Sequence, residues 1–98
     1  FTINFGIGTS KLNAQAQKTL GLIAGKLRAS ERSRVEVRAY ASSSGITESQ
    51  ARGLSLSRAL TVRASLIALG IRSTRIDVRA LGSKGQTVPT DRVDLQIN

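Results

Sequence analysis

The chain has 98 residues, with 15 Lys and Arg against 6 Asp and Glu, and a net charge of +9. Because it contains no Cys and no His, disulfides, thiol nucleophiles, the usual zinc sites and histidine-based triads are excluded. No apolar run approaches the ~20 residues that cross a bilayer. The composition therefore predicts one small folded domain that is not an enzyme and holds no cofactor.

The first part of the chain predicts a strand, a helix and a second strand. Ile3 and Phe5 alternate with polar residues, which indicates a short strand. Ser10 is a candidate N-cap for a helix that runs to about Arg28. The apolar residues of this helix fall on one face: Leu12, Ala16, Leu20, Ile23 and Leu27. The segment "RVEVRAY", residues 34–40, then alternates as a strand.

The second part predicts a long helix followed by two strands. Thr47 and Gln50 have the spacing of a capping box, and Gly70 is placed to end the helix in a left-handed conformation. Residues 75–81 and 91–97 alternate as strands, and residues 82–90 form a Gly-rich loop between them.

The order of elements is βαβαββ. It predicts an α+β fold, a two-layer sandwich in which two main helices cover one face of a mixed four-stranded sheet. One domain spans residues 1–98, without internal repeats or linkers. Each strand is apolar on one side only, as expected when helices cover a single face.

Two loops were considered as reactive or phosphate-binding sites. "GIGTSK", residues 6–11, lacks the spacing of a phosphate loop, although free N–H groups at the following helix start would accept an anion. "ASSSG", residues 41–45, lacks the histidine base that a nucleophile elbow requires. We therefore interpret the first as a turn and the second as a polar loop.

Arg58 is the unusual residue of the long helix. It falls on the apolar stripe, between Leu54 and Val62, where an unpaired guanidinium is costly. It either reaches the surface at the edge of the stripe or holds a carboxylate. The functional hypothesis is that its planar fork captures the carboxylate of a ligand beside the serine loop.

These residues resemble the OmpA-like C-terminal domain family. "LSLSRALTVRASLIALGIRSTRI", residues 54–76, matches the family pattern L-S-x-x-R-A-x-x-V-x-x-x-L-x-x-x-G-I-x-x-x-R-I. "INFGIGTSKL" and "DRVDLQI" are similar to the family's first strand with its helix start and to its last strand. The resemblance covers nearly the whole chain, and the helix pattern is specific.

The resemblance implies a non-catalytic module in the periplasm of a Gram-negative envelope, excised from a longer protein that tethers it to the outer or inner membrane. Its partner would be peptidoglycan, bound through the diaminopimelate of the stem peptide, with no nucleic acid involved. Arg58 matches the family arginine that binds the diaminopimelate carboxylate. The ligand-binding residues expected on this basis are Arg58, Tyr40, Ser42, Ser43, Ser44 and Arg92.

The chain departs from the family in the residues that bind the ligand's ammonium. The loop aspartate of the family is Ser42 here, and the family's N-R-R segment reads Thr90, Asp91 and Arg92. A serine hydroxyl accepts a hydrogen bond but brings no charge. The expected loss is roughly 1.5–3 kcal/mol, or about ten- to a hundredfold in affinity. Weakened or altered peptidoglycan binding is therefore expected.

Two alternatives remain open from the sequence. The domain could instead be an interaction or oligomerisation module, with a homodimer or another envelope protein as its partner. Leu56, Leu60 and Ile67 would then form an exposed patch, although we expect them to pack on the first helix. Nonspecific binding of polyanions rests on the net charge alone.

Overall fold

The computed structural model describes residues 1–84 and 91–98 and confirms the predicted α+β sandwich. The elements, in chain order, are β1 (Thr2–Asn4), α1 (Ala14–Ala29), β2 (Val35–Ala39), α2 (Glu48–Ala68), a 3-10 turn (Ser73–Arg75), β3 (Ile76–Ala80) and β4 (Arg92–Ile97). The predicted loop at 82–90 lies outside the described residues from position 85 onward.

The four strands form one mixed sheet in the order β1-β4-β2-β3. β2 and β3 run parallel, with Val37 beside Val78, because α2 carries the chain back across the sheet between them. β4 lies antiparallel to both β1 and β2 and places Val93 between Ile3 and Ala39. The last strand is therefore an interior strand of the sheet.

The core fills the space between the helices and one face of the sheet. Most inward residues of the strands are buried, as the alternation predicts, whereas Val78, Ala80 and Ile97 are only half-buried. The buried residues of α1 are those of its predicted apolar face from Ala16 onward, together with Ala24. The outer face carries ion pairs, among them Arg34 to Asp77 at 2.8 Å. Hydrogen bonds from Arg34 hold the pKa of Asp77 below its usual value.

The start of α1 differs from the prediction. Ser10 is not the cap: the helix begins at Ala14, and the side chain of Asn13 accepts a 2.8 Å hydrogen bond from the Ala16 amide. Leu12, which continues the helical spacing in the sequence, packs against the core from the loop instead. Asn is as effective an N-cap as Ser, so spacing alone did not separate the two positions.

Both predicted ends of α2 are confirmed. The Thr47 hydroxyl accepts from the Gln50 amide, and the Gln50 side chain accepts from the Thr47 amide. At the other end Gly70 has φ of +94°, and the amide of Ile71 donates to the Leu66 carbonyl at 3.1 Å. This is a Schellman ending, which requires the left-handed residue that Gly70 supplies.

Two glycines of the same helix region should respond oppositely to alanine. Gly70→Ala is expected to lower the free energy of unfolding by about 1 kcal/mol or more, because alanine is strained at positive φ. Gly53→Ala, inside α2 with open space around it, should raise it by up to about 1 kcal/mol. Urea unfolding measures both, and equal effects would contradict this account of the helix end.

Candidate functional site

Arg58 is fully buried and makes four hydrogen bonds. Its Nε donates to the Thr9 carbonyl at 2.8 Å, and its Nη2 donates to the Gly6 carbonyl at 2.9 Å. Its Nη1 donates to the Tyr40 carbonyl at 2.9 Å and to Asp91 Oδ1 at 2.8 Å. One side chain therefore holds the β1–α1 loop, the residue after β2 and the residue before β4 against α2.

The aromatic ring of Phe5 completes the surroundings of the guanidinium. Its centroid lies 5.0 Å from Arg58 Cζ, within the range of a cation–π interaction. Burial of a charge is tolerated here because a carboxylate and three carbonyl oxygens surround it. The sequence left two choices for Arg58, and the structure takes the second, in which it holds a carboxylate.

The expectation of a free guanidinium facing a ligand is wrong for this structure. Arg58 has no exposed surface, and its Nη1 forms a 2.8 Å ion pair with Asp91 of its own chain. The pattern correctly marked Arg58 as exceptional within an apolar stripe. It did not show that the carboxylate partner comes from the residue preceding β4.

A pocket of about 150 Å³ lies beside the Arg58–Asp91 pair. Its walls are mostly apolar and come from the β1–α1 loop, the serine loop and α2: Ile7, Gly8, Ile46 and Leu54. Its polar part is formed by Ser42, Ser44 and Asp91. A pocket of this volume accommodates one small group, such as a single side chain of a ligand.

Asp91 is a residue of the candidate site that the sequence prediction did not include. Its side chain is 17% exposed, and Oδ1 accepts from both Arg58 and the Ser42 amide, the latter at 3.2 Å. Asp91 was noted in the sequence only as a departure from the family pattern. The signal that could have found it is the pairing of an Asp at 91 with a Ser at 42, where the resemblance to the family leads one to expect an aspartate.

The three serines have different roles. Ser42 and Ser44 both line the pocket, and the Ser42 hydroxyl accepts from the Ser44 amide at 3.2 Å. Ser43 does not line it, because its hydroxyl hydrogen-bonds Glu48 at the start of α2. Hydrogen bonds from Ser83 and Ser43 hold the pKa of Glu48 below its usual value. Ser43 thus helps to fasten the loop to the helix.

Tyr40 and Arg92 come together with each other rather than at the pocket. Arg92 Cζ lies 4.3 Å from the centre of the Tyr40 ring, and Arg92 Nε is 3.1 Å from Asp94 Oδ2. Neither side chain lines the pocket. Both follow the outward alternation of their strands, away from the helices, since their neighbours Ala39 and Val93 are in the core. Tyr40 reaches the site only through its carbonyl.

The loop at residues 6–11 does not form the anion site considered from the sequence. α1 begins at Ala14, so its first free amides lie several residues beyond this loop. Two carbonyls of the loop, from Gly6 and Thr9, instead point at the Arg58 cation. The loop therefore supplies acceptors where donors had been considered.

The outer face of α2 also departs from expectation. Leu56, Leu60 and Ile67 are 45%, 48% and 40% exposed and do not pack away on α1. At about 100° per residue they lie opposite the buried stripe that carries Arg58 and Val62. They form an exposed apolar stripe on a helix whose other side is already buried.

Within residues 1–84 and 91–98, no group of His, Cys, Asp and Glu is arranged to hold a metal ion. In the same described ranges, no helix combines the length and the apolar character needed to span a membrane.

The structure is that of a small α+β domain with a pocket at one end of its sheet. The OmpA family model matches residues 4–94, and the chain belongs to this family. No curated protein matches the sequence.

Several solved structures share the fold. The OmpA-like domain of FopA1 from Francisella tularensis has a TM-score of 0.88 and 23% identity, covering 96% of this chain and 68% of that one. The peptidoglycan-associated lipoprotein of Burkholderia pseudomallei has a TM-score of 0.87 and 21% identity, covering 99% and 89%. The C-terminal domain of Helicobacter pylori MotB has a TM-score of 0.83 and 16% identity, covering 100% and 84%.

Replacing Arg58 is expected to destabilise the domain rather than only remove a ligand contact. Arg58→Ala leaves Asp91 and three carbonyls without their shared donor, so we expect a loss of about 3–5 kcal/mol in the free energy of unfolding. Arg52→Ala, an exposed position on the same helix, should change it by less than about 0.5 kcal/mol. Urea unfolding compares the two, and similar values would contradict a structural role for Arg58.

Proposed function

We propose that this domain is a non-catalytic cell-wall-binding module that takes the end of a peptidoglycan stem peptide into the pocket beside Arg58 and Asp91. The observation that carries the proposal is the pocket itself. Apolar walls and a polar end suit an aliphatic side chain that terminates in a polar group, as the diaminopimelate side chain of a stem peptide does.

Family membership and fold similarity support this proposal. The chain belongs to the OmpA family, and one structure of closely similar fold is named a peptidoglycan-associated lipoprotein. Another is named a periplasmic domain, from Helicobacter pylori MotB. By analogy we place the domain in the periplasm, tethered to the outer or inner membrane by a segment outside this sequence.

In this proposal Arg58 organises the pocket. It fixes the loops that carry Gly6, Tyr40 and Asp91, and these loops set the shape of the cleft. Direct capture of a stem-peptide carboxylate by Arg58 stays a prediction, and it requires the ligand to displace Asp91 from Nη1. Arg58 thus matches the position that the resemblance gives to the family arginine, and its carboxylate partner within this chain is Asp91.

Cell-wall binding is tested by co-sedimentation of the chain with purified sacculi. Ser44→Trp places a large ring at the exposed edge of the pocket. It should weaken the affinity for sacculi by at least about tenfold and so lower the bound fraction. Ser73→Trp, exposed and remote from the pocket lining, is the matched control and should bind like the parent chain.

Equal co-sedimentation of the two tryptophan variants would contradict binding through this pocket.

A third measurement addresses nonspecific attraction by the charge of +9. Binding that disappears between low and physiological salt in all variants alike would indicate polyanion attraction only.

The second candidate function is an interaction or oligomerisation module, and the exposed stripe of α2 favours it. An exposed apolar surface runs along about three turns of α2 and is formed by Leu56, Leu60 and Ile67. The opposite side of this helix is buried in the core. A second copy of the chain is the partner that purified protein can reveal. The net charge of +9 opposes such pairing, so it should strengthen with added salt.

Light scattering at two salt concentrations tests this alternative. If the stripe pairs two copies, the mass should rise toward that of a dimer with concentration, and Leu60→Glu should remain monomeric. Leu22→Glu, at a residue of α1 that is 65% exposed, controls for loss of an exposed leucine as such. A parent chain that stays monomeric throughout contradicts self-association through α2.

A further inference from the structure

We infer that Asp91 is the residue that recognises the ligand, and that the pocket selects a primary ammonium group carried on an aliphatic chain. This inference rests on the proposed function and assigns the charged group that the pocket uses. It reverses the expectation from the sequence, in which Arg58 binds the carboxylate of the ligand and no charged residue binds its ammonium.

The charges at the site support this assignment. Arg58 has no exposed surface and does not line the pocket, whereas Asp91 does. Asp91 is the one ionisable side chain among the lining residues of the described chain. Although the protein has a net charge of +9, the pocket therefore presents a carboxylate to a ligand that enters it.

Asp91 retains capacity to accept a further hydrogen bond. A carboxylate has about four lone-pair sites, and the described contacts of Asp91, from Arg58 and from the Ser42 amide, both fall on Oδ1. Arg58 in turn is shared among four oxygens, of which only one belongs to Asp91. Within the described part of the chain no donor contacts the second carboxylate oxygen, which can therefore accept from a group that enters the pocket.

The neighbouring groups fit the geometry of an ammonium. An ammonium has three donors, and each of the three polar residues that line the pocket, Asp91, Ser42 and Ser44, carries a side-chain acceptor. The apolar walls, from Ile7, Ile46 and Leu54, suit the methylene chain behind it. A carboxylate entering the same pocket would meet Asp91 as a like charge.

The carboxylate of Asp91, at the start of β4, lies beside the position in the serine loop where the resemblance to the family leads one to expect an aspartate. Ser42 and Asp91 are adjacent in space, since the Ser42 amide donates to Asp91 Oδ1 at 3.2 Å. A carboxylate from either position reaches the same end of the pocket. The ligand group is the side-chain ammonium of a diamino acid in the stem peptide, of the diaminopimelate or the lysine type.

The first test uses the unaltered protein and chemically modified ligands. Calorimetric titrations would compare a diaminopimelate-containing stem peptide, its side-chain N-acetyl form, its side-chain carboxamide form and a lysine-containing peptide. Acetylation should weaken binding by about ten- to a hundredfold, because a charged hydrogen-bonded pair is lost. Amidation of the carboxylate should change it by less than about threefold, and the lysine peptide should bind comparably if no carboxylate is read.

The second test moves the carboxylate. Asp91→Asn keeps an oxygen for Arg58 but removes the charge, so it should lose the preference for the free amine over its acetyl form. The double variant Ser42→Asp/Asp91→Asn returns a carboxylate to the neighbouring position and should recover that preference. Urea unfolding of each variant shows whether it is folded during the titration.

The outcomes separate this inference from the proposed function. If amidation weakens binding and acetylation does not, Arg58 rather than Asp91 reads the ligand, and the inference is overturned while stem-peptide binding stands. If Asp91→Asn folds and still distinguishes the amine from its acetyl form, the inference is again overturned. If the parent chain binds neither the peptides nor sacculi, the proposed function itself fails.

Discussion

The architecture of the site depends on one buried guanidinium. Arg58 lies on the inward stripe of α2, where only apolar or fully paired groups are tolerated, and four oxygens from separate segments converge on it. Each segment alone is an irregular loop or strand end with free carbonyls. Their common donor gives them a fixed relation to one another, and the pocket is the space that this arrangement leaves at the surface.

Local sequence signals predicted the fold where one physical requirement dominated. The helix α2 begins at the capping box of Thr47 and ends at the left-handed Gly70, as expected. Each of these ends satisfies backbone groups that have few other partners. The prediction failed at Ser10, where Asn13 offered an equivalent cap. It failed again at Leu60, because apolar character does not reveal which side of a helix a neighbouring element will cover.

The site was predictable only in part. Arg58 was recognisable as an exception within an apolar stripe, and Ser42 and Ser44 line the pocket, although their binding role stays a prediction. Asp91 was not, because its contact with Arg58 joins residues 33 positions apart through a sheet order that the strand pattern does not specify. Tyr40 and Arg92 follow the alternation of their strands to the outer face, and it is the backbone of Tyr40 that reaches Arg58.

The position of β4 has a consequence for how such a chain is assembled. The strand that appears last along the sequence lies between β1 and β2, so the two edges of the sheet are joined only after residues 92–97 arrive. Until then β1 has no partner strand, and the cation on α2 has no counter-charge. Pairing of β4 with β1 joins residues about 90 positions apart along the sequence, a contact of the long-range kind that slows folding.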